Sequence, residues 1–213
     1  MLTPANGRPA RDAGFTLIEL LLVIVILGVI TLPLANSVIG VLKNQNAVSD
    51  RMKLSHDAQI SAAFFAQDVA ATGLRDYSGQ VANGTVPFKA SFQLNAAYNT
   101  GGQSCGTSAT PTAVLRLLSD DWDASGATPV LRTDIVAYYL VSTDLHRMKC
   151  LGTSTPASDF VVAHDVDPAT PAVTCSAGCT STSAPQQLTL AFTVRATSAA
   201  PYPITLNGQW RQT

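Results

Sequence analysis

From residue 20 to residue 42 the chain carries no charged side chain, and residues 20–27 are an unbroken run of Leu, Val and Ile. A helix needs about 20 apolar residues to cross a bilayer, so this stretch is long enough to span one. Glu19 sits at its head, behind Leu17 and Ile18. A carboxylate in such surroundings costs a few kcal/mol or more and marks a function. Gly28 and Pro33 lie within the run. A helical Pro removes a backbone hydrogen bond and crowds the preceding turn. Either these two are tolerated in a membrane helix, or they form a flexible point where the helix can unwind. Past residue 42 the helical period continues but becomes two-sided. Val48, Met52, Ala58, Ala62, Phe65, Ala66 and Val69 fall on one broad face, with Asp50, Lys53, Asp57 and Asp68 opposite. The Ala-rich face allows close approach of a sheet. Phe64 falls on the polar side, as an inter-subunit contact or under a covering loop, and Gly73 is a stop for the helix.

Beyond Gly73 the period changes to alternation. Phe88, Ala90, Phe92 and Leu94 alternate with Lys89, Ser91 and Gln93; Leu188, Leu190, Phe192 and Val194 alternate with Thr189, Thr193 and Arg195. These predict half-buried strands. Residues 113–118 and 134–141 read as more fully apolar strands, 160–166 as a weaker one, and 203–206 as an edge piece. Strands without intervening helices imply an antiparallel sheet, covered by the N-terminal helix, in an α+β fold. Two segments read as loops: 95–112, with Gly101, Gly102 and Cys105, and 167–187, with three prolines, Cys175 and Cys179. The second is long for a connection without structure of its own.

Composition narrows the setting. Hydrophobic residues make up 46% of the chain and charged ones 13%, with the apolar excess in the first 42 residues. The remainder is rich in Ala, Thr, Ser, Gly and Pro, as loops outside the cytoplasm often are. A net charge of −1 gives no argument for nucleic-acid binding. Residues 1–13 hold Arg8 and Arg11 but are followed by no A-x-A-like cleavage site, which opposes a conventional signal peptide. Lys43, Arg51 and Lys53 balance those two arginines across the span, so basic residues do not set its orientation.

Gly14-Phe15-Thr16-Leu17-Ile18-Glu19 and the run behind it resemble the N-terminal signature of type IV prepilins and type II secretion pseudopilins. The resemblance implies a leader, 1–14, cut after Gly14 by a prepilin peptidase/N-methyltransferase that also methylates the amine of Phe15. It further implies a transmembrane and filament-core helix over 15–42, an amphipathic continuation over 43–75, and an extracytoplasmic β-rich domain over 76–213. The chain would cross the inner membrane once, with a cytoplasmic leader. Its partners would be other pilin or pseudopilin subunits, the processing enzyme, an inner-membrane assembly platform and membrane lipid. Glu19 would act in assembly, facing the Phe15 amine of a neighbour; otherwise it merely reaches the interface. In that setting Gly28 and Pro33 would let the helix loosen as it leaves lipid. The order QDVAATG, TDIVAYYLV and LHRMKC, which holds Asp68, Gly73, Tyr138 and Arg147, is similar to the larger minor pilins and to J-type pseudopilins and W-type minor pilins.

Other constellations carry less chemistry. Asp121-Trp122-Asp123-Ala124-Ser125-Gly126 has the first half of a calcium loop, but Arg132 stands where the closing bidentate Glu belongs. A solvated turn between strands is the reading there. His164-Asp165-Val166-Asp167 reads as a strand running into a turn before Pro168. His56, His146 and His164 accompany no nucleophile elbow, no H-E-x-x-H and no phosphate loop, so neither catalytic residues nor a cofactor are assigned. Four cysteines allow three pairings and lack the paired C-x-x-C knuckles of a zinc site. A local Cys175–Cys179 bridge would leave Cys105 to Cys150. The function that follows is structural, a minor pilin or pseudopilin in a filament. A tip-located adhesin or DNA- or substrate-contacting subunit is the alternative, and an anchored enzyme is disfavoured by the missing motif.

Overall fold

The computed structural model describes residues 14–78, 86–179, 186–195 and 200–211; all of the expected leader, 1–14, except Gly14 lies outside them. The chain divides into two compact units, Met1–Asn46 and Ala47–Thr213. A single helix, α1 (Leu17–Ala71), runs through both.

In the first unit α1 is a bare rod. Its side chains over 17–45 are exposed, and none of its most apolar stretch is buried within the chain. Such a surface is stable in lipid or against other helices, where a helix meets every backbone hydrogen bond internally. Pro33 sits inside without ending it.

In the second unit the rest of α1 packs on β-structure. The strands are β1 (Leu74–Arg75), β2 (Phe88–Lys89), β3 (Phe92–Ala96), β4 (Ala113–Asp123), β5 (Val130–Val141), β6 (Asp144–Leu151), β7 (Pro156–Ala163), β8 (Ala172–Cys175), β9 (Gln187–Val194) and β10 (Tyr202–Gln209). Five form an antiparallel sheet in the order β3-β4-β5-β6-β7, three form β10-β9-β8, and β1 pairs with β2. The main core lies between α1 and the sheets. Leu54, Phe65 and Val69 meet Leu115, Leu117, Tyr138 and Leu145 there, with Leu188, Leu190, Ile204 and Leu206 from the smaller sheet. A second cluster covers the other face of the five-stranded sheet, around Leu118, Ile135, Met148, Cys105 and Cys150. At Gly208 the strand comes so close to α1 that any side chain would collide with Val69.

Several sequence readings need correction. Val48 and Met52 are exposed, as is Ala66, while Leu54 and Ser61 are buried. The contact stripe is therefore rotated from the apolar one. Ser61 can enter it because its hydroxyl donates to the carbonyls of Val162, 2.6 Å, and Asp57, 2.7 Å. Asp68 is buried rather than solvated. The alternation over 88–94 is two strands, not one, broken at the buried Ser91, whose hydroxyl accepts the Leu74 N–H at 2.8 Å. Residues 121–123 belong to β4, so the turn begins only at residue 124. The loop at 167–187 contains β8. Strand β6 carries Asp144, His146, Arg147 and Lys149 among its apolar residues, which hid it from a reading of hydrophobic alternation.

Candidate processing and assembly site

The site is the start of α1. Gly14 precedes the helix in non-helical backbone, with open space where a side chain would stand, and Phe15 is 80% exposed. Among the described residues nothing crowds the junction between them. Thr16 then starts the helix. Its carbonyl accepts the N–H groups of Glu19 and Leu20 at 3.1 and 3.2 Å. Its hydroxyl oxygen accepts the Glu19 N–H at 3.3 Å and donates to Glu19 Oε2 at 3.4 Å. This is a variant of the T-x-x-E capping box, in which the carboxylate takes the cap's hydroxyl rather than its N–H. The negative charge in the first turn also complements the helix dipole. The T-x-x-E spacing of Thr16 and Glu19 is the sequence signal for this cap. Glu19 thus has a local partner in the single chain, yet remains exposed to neighbours.

Further along, Gly28 has nothing within 4 Å of its open face. Thr31 Oγ1 donates to the Gly28 carbonyl at 3.2 Å. Pro33 has no N–H, so the Val29 carbonyl loses its ordinary helical donor.

The structure pairs the cysteines as Cys105–Cys150, with Cα atoms 5.6 Å apart, and Cys175–Cys179, 5.3 Å apart. The first bridge is buried in the outer core cluster.

The three histidines do not form one cluster, for His146 lies apart from His56 and His164. His146 Nδ1 lies 3.1 Å from Asp159, which also accepts the Tyr139 hydroxyl at 2.6 Å. Burial, and then the Asp159 hydrogen bond and charge, hold the Tyr139 phenol well above its ordinary value. His164 Nδ1 and its backbone N–H both reach Asp57, at 3.0 Å each. His56, exposed on α1, lines the same surface cavity as His164, Asp57, Asp144 and Asp165. Among the described residues no cluster of three or more His, Cys, Asp or Glu could hold a metal ion.

Asp68, Tyr138 and Arg147 do converge, although the sequence placed them on three separate segments. Arg147 donates to both Asp68 oxygens, at 2.7 and 2.5 Å, and the Tyr138 hydroxyl donates to Oδ2 at 2.6 Å. Phe64 and Phe160 flank the guanidinium, so Phe64 packs on the sheet. Burial, reinforced by the Asp68 charge, pushes the Tyr138 phenol far up. Burial pulls the Arg147 guanidinium down, but the Asp68 contacts outweigh it and hold it above its usual value. The trio is a structural clamp enclosed in the core.

A capped, unpartnered apolar helix continuing onto an antiparallel sheet defines an α+β protein suited to membrane anchoring by its N-terminus. The prokaryotic N-terminal methylation motif matches residues 9–35. That match supports a type IV pilin-like protein, and a motif of this kind implies processing by a peptidase and assembly with other pilin subunits. No curated protein and no solved structure matches the chain.

Proposed function

We propose that the chain is a minor pilin or pseudopilin, a structural and non-enzymatic subunit of a type IV pilus or type II secretion-like filament. Prepilin peptidase/N-methyltransferase cuts after Gly14 and methylates Phe15. Before assembly the subunit sits in the inner membrane through α1, with the β-rich domain on the far side. An inner-membrane platform then moves it from lipid into the filament. The observation that carries this reading is the wholly unburied apolar stretch of α1, headed by one carboxylate. None of the described residues covers it; lipid does so first and neighbouring helices afterwards. Gly28 and Pro33 mark where the helix can loosen during that transfer.

Glu19 supplies the register. Cleavage leaves an ammonium on Phe15, one helical turn from Glu19. Withdrawn from water, either charge alone costs several kcal/mol, whereas an ammonium of one subunit against Glu19 of another compensates both. The Thr16 cap adds a confounder that two substitutions separate. Glu19→Gln keeps the length and an acceptor for Thr16 but loses the charge; Glu19→Ala loses both. Each variant is expected to insert and be cleaved, and each to co-purify with filament subunits about tenfold less or worse. Normal incorporation of Glu19→Gln would reduce Glu19 to a helix cap.

One observation favours the second reading, a tip-located adhesin or substrate- or DNA-contacting subunit. Tyr77 and Trp122 form an edge-to-face pair, 5.9 Å between centroids, and both are about half exposed. Loss of ligand binding in Trp122→Ala, with incorporation intact, would select that reading.

A further inference from the structure

Arg116 carries its charge into the core and meets no carboxylate there among the described residues. Its side chain on β4 is 1% exposed. The guanidinium donates to Gln93 Oε1 at 2.7 Å and to the carbonyls of Ala97, Thr100 and Gln103 at 3.0, 3.2 and 2.5 Å. All four acceptors belong to one short segment, 93–103, which wraps the guanidinium through a turn at Gly101 and Gly102, both at positive φ. A buried guanidinium stripped of its acceptors is strongly disfavoured. Burial of Arg116 in the sheet therefore requires this segment to be folded over it, whatever the state of the sulfurs.

Cys105 follows directly, and its N–H donates to the Tyr98 carbonyl at 2.8 Å inside the same wrap. Cys150 is placed separately, by its rung with Ile135 on β5. The Gly106 N–H reaches the Ser154 carbonyl at 2.8 Å and ties the two cysteine-bearing stretches together. Chance closure would not select this pair. In an unfolded chain the cost of closure rises with loop length, and Cys150 is nearer in sequence to Cys175 than to Cys105. We propose that Arg116 is a positioning residue for the Cys105–Cys150 bridge, gathering the reduced segment so that the two thiols stand side by side before oxidation. A small disulfide then suffices as oxidant. One protein thiolate attacks it, breaking its S–S bond, forming a mixed disulfide and releasing one thiol. The second thiolate attacks the protein sulfur of that intermediate, forming the Cys105–Cys150 bond and releasing the other thiol. The two protein thiol protons end on the released thiols, and the oxidant gains the two electrons that the protein sulfurs lose.

The test uses the full chain in detergent, carrying Cys175→Ser and Cys179→Ser so that only this pair can close. Reduced and oxidised glutathione set the redox balance, and the fraction bridged at equilibrium gives the effective concentration of one thiol toward the other. Arg116→Lys keeps the charge but loses the planar fork that reaches several acceptors at once. It is expected to lower the effective concentration about tenfold or more, the range for hydrogen bonds to a charged group. Gly102→Val disturbs the wrap from the loop side. A β-branched residue is strained at its φ of +76°, while nothing lies within 4 Å of the added Cβ. A residue that merely stabilised the fold would support the reduced and bridged forms equally and leave this equilibrium unmoved. An unchanged effective concentration in folded Arg116→Lys therefore overturns the proposal. Where that variant does not fold, Gly102→Val decides: a fall supports the proposal and no change overturns it.

Discussion

Asp68, shared between Arg147 and Tyr138, fastens α1 to the middle of the five-stranded sheet. Removing one member of such a pair strands the other in the core, which costs about 3–5 kcal/mol. Arg147→Met should accordingly lower the unfolding free energy of the full chain in detergent by that amount, read by denaturant titration. A loss below about 1 kcal/mol would show that Asp68 is not left uncompensated. Asp134 makes the opposite forecast. Its Oδ1 is buried without a hydrogen bond, and Lys149 stands 3.7 Å from the other oxygen. Burial, then the charge of Asp121, raise its pKa against the pull of Lys149. The folded state therefore binds this proton more tightly than the unfolded one. Stability falls as pH rises from the unfolded value of about 3.9 through the higher folded one. Asp134→Asn should stabilise at pH 7 by about 1 kcal/mol and give no gain near pH 3, where the carboxyl is already neutral. Melting temperatures at both values check it. Residues of this kind are the least legible in a sequence. A wheel sends Asp68 to solvent because it knows nothing of an Arg on a strand seventy-nine positions away.

At the scale of elements, length and period carried the most information. The apolar run and its continuation gave α1, and strict alternation gave β9, because those patterns do not depend on distant partners. Strand β6 shows no clean alternation because its charged residues are met by other elements: Arg147 by Asp68 of α1, Lys149 by Asp134 of β5. Arg116, fully buried on β4, shows the same limit. Its guanidinium donates to the carbonyls of Ala97, Thr100 and Gln103, and to Gln93 Oε1. It thereby holds the segment leading to Cys105. The disulfides differ by the loop each closes. Cys105–Cys150 spans a separation of 45 and Cys175–Cys179 one of 4. In the chain-entropy picture the first contributes about 4 kcal/mol and the second about half that. Double Ser substitution of each pair, followed by thermal unfolding, should show the larger loss for Cys105–Cys150. Equal losses would mean that Arg116 holds the loop without the bridge.

For the molecule as a whole, the candidate site was the most legible part and the domain the least. Gly14, Phe15 and Glu19 could be picked out because the chemistry proposed for them is local: a side-chain-free residue before the junction, the amine that a cut there would free, and a carboxylate one turn along. The capping role of Thr16 was local too, and only its T-x-x-E spacing announced it. The arrangement of β8–β10 beside the larger sheet depends on pairing across long loops, which no local pattern encodes. The central claim is that this chain becomes a filament subunit by losing its leader at an exposed Gly-Phe junction. Intact mass of the protein isolated from its native membrane tests that directly. The account predicts a chain that begins at Phe15, lacks residues 1–14 and carries one additional methyl group on its amine. A membrane-inserted protein that retains Met1 or Leu2, with no methylated Phe15, would contradict it.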